Sequence, residues 1–304
     1  MSWSALVALA VVIGVAAACT PGPAPSGGES AGRDLVEEFC YEGRNRTYLL
    51  HLPLGYDGKR PVPLVVVLHY YTGTGRAEAE QSLFSEKADA ENFIAVYPNG
   101  ALPEEPGFSW SFRQHGGIDD VAFVGEVIRR LSGQYAIDRK RVYVTGMSQG
   151  GILAHAVGCE LSSVVAAIAP VGAALLTEPT SPDPVSVLII HGTEDPSFPY
   201  EGREPDEGEE GLPRPPVSEV VATWVKHNGC GAEPERRQQG KIIREVYSGG
   251  RGGTEVVLCA IVGGRHDWPG DNNDRTNSGL VGADEIWDFF ARHPKQEERS
   301  ERLH

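Results

Sequence analysis

Residues 142–151 read VYVTGMSQGG, an apolar run that ends in a serine with glycines on both sides. The apolar residues predict a strand, and a helix is predicted at 149–160, directly after the serine. Residues 146–150, GMSQG, therefore form a G-x-S-x-G motif between a strand and a helix. In that context the motif is typical of a nucleophile elbow, in which a sharp turn exposes the hydroxyl of Ser148 at the edge of a sheet.

Strands and helices are predicted to alternate on both sides of this motif. Residues 62–69 and 185–192 are almost entirely apolar, which is typical of strands covered on both faces. Further strands are predicted at 46–53, 93–98, 141–146, 164–170, 241–247 and 254–262, and helices at 76–91, 117–131, 149–160, 217–228 and 281–292. This alternation predicts a single α/β domain, with a mostly parallel sheet and helices on both faces.

The N-terminus is predicted to be a targeting segment. Residues 1–18 contain an uncharged apolar run that suits a signal-peptide core and is too short to span a bilayer as an ordinary helix. Cys19 follows small residues, as the lipid-modified cysteine of bacterial lipoproteins does, and residues 19–33 predict a flexible tether rich in Pro, Gly and Ser. No Lys or Arg precedes the run, so simple secretion stays open. The folded domain, 34–293, is expected outside the cytoplasm, and residues 294–304 form a charged tail.

The composition limits the classes of partner. The chain has 304 residues with 40% hydrophobic content, enough for one substantial core. The formal net charge of −15 would repel a phosphate backbone, so nucleic acid is not an expected partner.

Cysteines in an exported protein predict disulfide bonds. Cys40, Cys159, Cys230 and Cys259 are widely spaced and form no C-x-x-C motif, which argues against a metal site. We predict a Cys230–Cys259 bond, because each residue lies near one end of an extended segment in the C-terminal region, and Cys40–Cys159 as a possible second pair. Free buried thiols are the alternative, since cysteine packs well as a small hydrophobe.

A nucleophilic serine in such a turn requires an acid and then a histidine further along the chain. Asp195 comes just after the strand predicted at 185–192, and His266 lies in the loop after the strand predicted at 254–262. We expect His266 to accept the proton of Ser148, while Asp195 fixes the tautomer of the imidazole and stabilises the imidazolium. A turn-capping aspartate and an ordinary loop histidine are the structural alternatives.

Six stretches occur in a characteristic order between residues 44 and 292: LVVVLHYYTGTG, GIDDVAFV, VYVTGMSQGG, AAIAPVGA, IIHGTEDPSFPY and GGRHDWPG. Together they resemble the polyhydroxybutyrate-depolymerase-like and feruloyl-esterase-like group of α/β hydrolases. The resemblance implies the same serine, aspartate and histidine as catalytic residues. It also implies an oxyanion hole formed by the backbone N–H groups of Gln149 and Tyr71.

The chain departs from the family pattern at two positions. The family has His-Gly where this chain has His69-Tyr70, so we expect the Tyr70 side chain to reshape the cleft and contact substrate. Arg265 replaces the usual glycine before the catalytic histidine and brings a cation near the cleft. Trp110 and Trp268 are predicted to line the acyl pocket, with a packing role as the alternative.

The resemblance implies an extracytoplasmic serine esterase that hydrolyses hydroxyalkanoate oligomers or related small esters through an acyl-enzyme, with no metal and no organic cofactor. A feruloyl or acetylxylan esterase is the nearest alternative, and a peptidase on the same fold is a further one. An alternative of another class is a surface lipoprotein that binds but no longer catalyses, which the changes at Tyr70 and Arg265 raise. The expected partners are an ester substrate and, through Cys19, a membrane, with no obligate protein partner.

Overall fold

The computed structural model describes residues 33–111, 117–203, 213–270 and 276–296. Within these ranges the chain forms twelve strands and six α-helices. The strands are β1 (Arg33–Tyr41), β2 (Arg44–Leu52), β3 (Val62–Leu68), β4 (Ile94–Pro98), β5 (Leu102–Glu104), β6 (Gly107–Ser109), β7 (Ile137–Met147), β8 (Ala167–Val171), β9 (Ser186–Gly192), β10 (Glu235–Gln239), β11 (Ile242–Tyr247) and β12 (Val256–Ile261). The helices are α1 (Gly75–Ser82), α2 (Phe84–Glu91), α3 (Asp120–Gln134), α4 (Gln149–Glu160), α5 (Val217–Asn228) and α6 (Gly282–Arg292).

Ten of these strands form one sheet in the order β1-β2-β4-β3-β7-β8-β9-β12-β11-β10. The six neighbouring strands from β4 to β12 pair in parallel, and the outer strands on both sides pair antiparallel. β5 and β6 form a separate hairpin. The prediction of one α/β domain with a mostly parallel sheet is confirmed.

The central strands are apolar throughout because helices cover both faces of the sheet. Every residue of β3, β4, β8, β9 and β12 is buried. Helices α3, α4 and α5 supply the core on one face, and α1, α2 and α6 supply the core on the other. The parallel strands end at a common edge, so the loops that follow β3, β7, β8, β9 and β12 lie near one another.

Four features differ from the predicted elements. The single helix predicted at 76–91 is two helices, α1 and α2, because Leu83 between them has a left-handed backbone with φ 60°. β1 extends the sheet through a segment for which no strand was predicted, and β10 does the same at the opposite edge. The β5–β6 hairpin was also not predicted.

The predicted disulfide bonds are absent: Cys40, Cys159, Cys230 and Cys259 are all free thiols. Cys259 packs in the core on the α6 side of the sheet, whereas Cys230 packs against the core on the opposite side. Cys159 is buried in α4, where its thiol donates to the Thr177 carbonyl at 3.2 Å, whereas Cys40 is exposed on the edge strand β1. The prediction from sequence position failed because Cys230 and Cys259 lie on opposite sides of the sheet. In the second pair, Cys40 is exposed at the surface, whereas Cys159 is buried.

The predicted signal peptide (1–18), Cys19 and nearly all of the predicted tether lie outside the described residues, as do residues 297–304. The described beginning of the charged tail is held to the domain, because the Lys295 N–H donates to the Lys140 carbonyl at 2.8 Å. No helix within the described ranges is both long enough and apolar enough to cross a membrane.

Candidate active site

Ser148 lies between the last residue of β7 and the first residue of α4. Its backbone has φ 56° and ψ −120°, a conformation that is strained for a residue with a side chain. The Ser148 N–H donates to the Val171 carbonyl at the end of β8 (2.9 Å), and the Ser148 carbonyl accepts from Ile152 in α4 (2.9 Å). The strained turn is therefore held by backbone hydrogen bonds to the neighbouring strand and helix.

The two glycines of the motif allow the strand, the helix and the preceding β3 loop to approach closely. A Cβ atom on Gly150 would lie 2.1 Å from the Leu68 carbonyl oxygen, and one on Gly146 would lie 2.6 Å from the same oxygen. No side chain fits at these distances, so both positions require glycine. This is the local geometry that the G-x-S-x-G motif predicts.

Asp195 and His266 come from two neighbouring strands and meet at the same edge. Asp195 follows β9, His266 follows β12, and the His266 Nδ1 atom lies 2.8 Å from the Asp195 Oδ2 atom. Burial by itself would raise the pKa of the Asp195 carboxyl, but the hydrogen bond and charge of His266 and the Phe198 N–H lower it below its usual value. Asp195 is therefore ionised at neutral pH.

The loop after β9 holds the Asp195 carboxylate from several sides. Its Oδ1 atom accepts the N–H groups of Ser197 (2.8 Å) and Phe198 (2.9 Å). The His191 Nε2–H donates to the Phe198 carbonyl at 2.8 Å, so this buried ring fixes the same turn. Burial lowers the pKa of His191, which keeps the ring neutral.

The end of β8 joins the serine to the acid–base pair. Val171 accepts the Ser148 N–H, and the next residue, Gly172, lies beside both other side chains. A Cβ atom on Gly172 would lie 3.3 Å from Asp195 Oδ2 and 3.3 Å from His266 Nδ1. Gly172 has no individual signal in the sequence, although it lies in the AAIAPVGA stretch that carries part of the resemblance.

The loop after β3 brings the Tyr71 backbone to this edge. The Tyr70 carbonyl accepts from His69 Nδ1 (2.7 Å) and from the Gly73 N–H (2.9 Å). Gln149, the first residue of α4, has its N–H at the N-terminus of the helix, where backbone N–H groups have no partner within the helix. The Gln149 N–H therefore lies directly after Ser148 at the start of α4, and the Tyr71 backbone lies in the loop that follows β3. His69 was not recognised as part of the site, although its position directly after a buried strand was the available signal.

The two tryptophans predicted to line an acyl pocket are structural. Trp110 is 2% exposed, and its indole N–H donates to the His69 carbonyl at 2.7 Å. Trp268 is 1% exposed and packs edge-on against Phe84 in the core on the α6 side. Neither ring has surface available for a substrate, which corrects the prediction in favour of the packing alternative.

The other predicted cleft residues do reach the surface. Tyr70 is half-buried, and burial together with the nearby Glu78 raises the pKa of its phenol. The neighbouring Tyr71 is 52% exposed. Arg265, beside His266, is exposed. The two positions at which the chain departs from the family pattern, Tyr70 and Arg265, thus both reach the surface at this edge.

A buried ion pair anchors the segment that approaches the site from the α3 side. Arg46 in β2 donates to Asp120 at 2.6 Å, and both side chains are almost completely buried. The other Asp120 oxygen accepts the Ser111 N–H at 2.7 Å, and Arg46 also donates to the Asn99 carbonyl at 3.0 Å. Burial raises the pKa of Asp120, and burial also lowers the pKa of Arg46. Asp120 therefore braces this loop, while its neighbour Asp119 caps α3.

The chain is similar in sequence and in fold to proteins that are named as esterases. The family model described as esterase PHB depolymerase matches residues 46–193, a range that includes Ser148 and ends before Asp195 and His266. Feruloyl esterase B of Piromyces equi is 29% identical over 239 residues, which cover 73% of this chain and 42% of that protein. Feruloyl esterase D of Neurospora crassa is 24% identical over 301 residues, covering 95% of this chain and 94% of that protein.

Among solved structures, the acetyl xylan esterase from Aspergillus awamori superposes with a TM-score of 0.62 at 16% identity. The superposition covers 84% of this chain and 99% of that one. At 16% identity this similarity shows that the two proteins share a fold.

Proposed function

We propose that the chain belongs to the esterase PHB depolymerase family of α/β hydrolases, whose model matches residues 46–193, and that it is an extracytoplasmic serine esterase whose catalytic residues are Ser148, His266 and Asp195. The observation that carries the assignment is the 2.8 Å contact between His266 and Asp195 at the edge where the strained Ser148 turn lies. The pair and the turn come from three parallel strands, as a triad on this fold requires.

In this proposal His266 removes the Ser148 proton as the hydroxyl oxygen attacks the ester carbonyl, which forms a tetrahedral oxyanion. The backbone N–H groups of Gln149 and Tyr71 stabilise that oxyanion, and the α4 dipole contributes in the same direction. His266 then protonates the leaving alcohol, which gives an acyl-enzyme on Ser148. Water, deprotonated by His266, hydrolyses the acyl-enzyme and releases the acid. The ionised Asp195 stabilises the imidazolium in both steps.

We propose a small or soluble carboxylic ester as the substrate. The family description points to hydroxyalkanoate esters, whereas the two relatives are named feruloyl esterases, so esters of plant polysaccharides are the second candidate. Hydrolysis rates on hydroxybutyrate oligomers, methyl ferulate and acetylated xylan distinguish these classes directly.

The proposed location outside the cytoplasm rests on the N-terminal sequence. Residues 1–18 have the pattern of a signal peptide, and Cys19 has the position of a lipid-modified cysteine. We propose membrane anchoring at Cys19. In the native host, the wild-type protein is then expected in the membrane fraction and the Cys19→Ser variant in a soluble fraction. Soluble wild-type protein would contradict the anchor without affecting the esterase assignment.

The function is tested by hydrolysis of p-nitrophenyl acetate and butyrate by the purified protein and by its Ser148→Ala variant. Loss of a triad nucleophile removes several orders of magnitude in kcat, so the variant is expected to show no measurable turnover with an unchanged Tm. A fluorophosphonate is expected to label Ser148 alone in peptide mapping. An inactive wild-type protein, or a label on another serine, would refute the assignment.

A further inference from the structure

Trp110 contacts both of the segments that carry the two proposed oxyanion donors. Its indole Nε1–H donates to the His69 carbonyl at 2.7 Å, in the loop that leads to Tyr71. Its backbone N–H donates to the Gln149 side-chain Oε1 atom at 3.0 Å, in the residue that supplies the other donor. Because Trp110 is 2% exposed, the indole bond to His69 is shielded from water, and the bond to Gln149 is partly buried.

The His69 ring connects Trp110 to the loop after β3, which carries Tyr71. It stacks on the Trp110 ring with centroids 4.4 Å apart. Its Nε2 atom accepts the Gly100 N–H at 3.0 Å, so the ring proton is on Nδ1, which donates to the Tyr70 carbonyl at 2.7 Å. Burial lowers the pKa of His69 to about 4, so this tautomer persists at neutral pH.

The orientation of the Tyr70 carbonyl determines the orientation of the Tyr71 N–H. The two belong to one trans peptide group, in which the C=O and N–H bonds point in opposite directions. With its carbonyl bonded to His69 and Gly73, the peptide directs the Tyr71 N–H away from them.

Trp110 is itself anchored through its neighbour. The N–H of Ser111 donates to Asp120, which is paired with the buried Arg46. The buried Arg46–Asp120 pair therefore fixes the backbone next to Trp110 and, with it, the position of the two Trp110 N–H groups.

We propose that Trp110 is a positioning residue that sets the separation of the Tyr71 and Gln149 oxyanion donors, acting through the His69 carbonyl on one side and the Gln149 side chain on the other. This inference rests on the proposed esterase function. It explains why a tryptophan here is buried behind the catalytic edge and not exposed within it.

Displacement of an oxyanion donor is expected to destabilise the transition state more than the bound ester. Removal of one oxyanion donor lowers kcat about a hundredfold to a thousandfold, so a displaced donor is expected to lower it about tenfold to a hundredfold. The ground-state ester does not depend on these donors to the same extent, so KM is expected to change little.

The test uses the full-length protein with Trp110→Phe, which keeps an aromatic ring and removes the indole N–H, and Gln149→Met, which keeps the backbone donor and removes the side-chain acceptor. Trp287→Phe is the matched control, because Trp287 is a buried tryptophan stacked on Phe93 at 4.3 Å in α6. The measurements are kcat and KM for p-nitrophenyl acetate, the inhibition constant of a trifluoromethyl ketone that forms a tetrahedral oxyanion on the serine, and Tm.

We expect Trp110→Phe and Gln149→Met each to lower kcat about tenfold to a hundredfold and to raise the inhibition constant of the ketone by the same factor. KM is expected to stay within about threefold of the wild-type value. Trp287→Phe is expected to lower Tm by about as much as Trp110→Phe does and to leave kcat unchanged. Because either substitution breaks the same connection, the double variant is expected to be little worse than the poorer single variant.

A kcat of Trp110→Phe within about twofold of wild type would overturn the proposal, as would a raised KM with unchanged ketone affinity. Fully multiplicative effects in the double variant would overturn it as well. If Trp110→Phe does not fold, the Gln149→Met variant tests the proposal alone. A wild-type kcat and a wild-type ketone inhibition constant in that variant would show that the Gln149 side chain does not position the oxyanion donors. Failure of the esterase function itself is distinguishable, because the wild-type protein would then show neither turnover nor Ser148 labelling.

Discussion

The Nδ1 atom of His266 lies 2.8 Å from the Oδ2 atom of Asp195, whose side chain is completely buried while the imidazole is 19% exposed. In the neutral imidazole, a carboxylate that accepts the Nδ1–H places the unprotonated nitrogen at Nε2. Only that tautomer can receive a proton from a serine hydroxyl.

Asp195→Asn is therefore expected to lower kcat by about 10⁴-fold. The amide can still accept the N–H groups of Ser197 and Phe198, so the turn is kept. Its NH₂ group, however, would face His266 Nδ1 and favour the wrong tautomer. The measurement is kcat for p-nitrophenyl acetate, with the exposed neighbour Glu194→Gln as the control that keeps wild-type turnover. Equal kcat values for the two variants would contradict the role of Asp195.

Gly172→Ala is expected to disable the site by steric contact. The new Cβ atom would lie 3.3 Å from both Asp195 Oδ2 and His266 Nδ1, and the backbone has φ +54°. Gly240→Ala is the matched control, because its φ is +58° and nothing lies within 4 Å of its added Cβ atom. Both variants carry the same backbone strain, about 1 kcal/mol, so we expect similar losses of Tm and a fall in kcat for Gly172→Ala alone. A similar kcat in both would show that the space at Gly172 has no role in catalysis.

The local sequence pattern predicted the central part of the fold. Helices α4 and α5 begin and end at the predicted residues, because their apolar and flanking residues carry the signal. β10 has no such signal: its sequence, ERRQQ, is entirely exposed, and it is a strand only because it pairs with β11. In β1, Glu37 interrupts the alternation of inward-facing apolar residues, which hid the strand.

The site could be predicted as far as chain order determines it. Asp195 and His266 each follow a recognisable strand, so their meeting at one edge followed from the parallel sheet. The position of Trp110 depends instead on how the segment after β4 folds back onto the β3 loop. Tertiary hydrogen bonds to His69 and Gln149 decide that path, and no local pattern encodes them.

Asp120→Asn is expected to destabilise the domain strongly. The substitution leaves the buried guanidinium of Arg46 without a counter-charge, which costs about 3–5 kcal/mol in a buried pair. Glu126→Gln is the matched control on the same helix, because Glu126 pairs with Arg129 at 2.6 Å on the surface, where losing an ion pair changes stability little. Urea unfolding of both variants measures the difference. Comparable losses would show that burial does not dominate the energetics of the Arg46 pair.

Thiol titration is expected to find one fast-reacting cysteine in the folded domain. Cys40 is exposed on β1, whereas Cys159 and Cys259 are buried and Cys230 is partly buried, with a thiol pKa that burial raises. Burial raises the pKa of Cys259 to about 12 and raises that of Cys159 as well, so neither forms a thiolate at neutral pH. Cys40→Ser is therefore expected to remove one fast equivalent of Ellman's reagent, and Cys259→Ser none until the protein is unfolded. Resistance of Cys40 to the reagent before reduction would instead indicate a disulfide.

The stability of the domain is expected to fall at acid pH because of buried neutral histidines. His155 is completely buried in α4, where its Nδ1 atom accepts the Trp224 indole N–H at 3.1 Å. Burial, with His191 close by, lowers the pKa of His155 to about 3. In the unfolded chain the pKa is about 6.5, so between these pH values the unfolded state binds one more proton than the folded state. The free energy of unfolding then falls by up to about 1.4 kcal/mol for each pH unit as the pH is lowered through this window.

His155→Phe removes that proton uptake. Urea unfolding from pH 8 to pH 4.5 is expected to give parallel curves for wild type and variant above pH 7, because neither state takes up a proton at this position there. Below pH 6 the variant is expected to lose stability less steeply, by up to about 1.4 kcal/mol per pH unit. The Trp224 indole N–H loses its acceptor in the variant, which lowers its stability by a constant amount and leaves the slope unaffected. Curves that stay parallel down to pH 4.5 would mean that His155 is protonated in the folded protein.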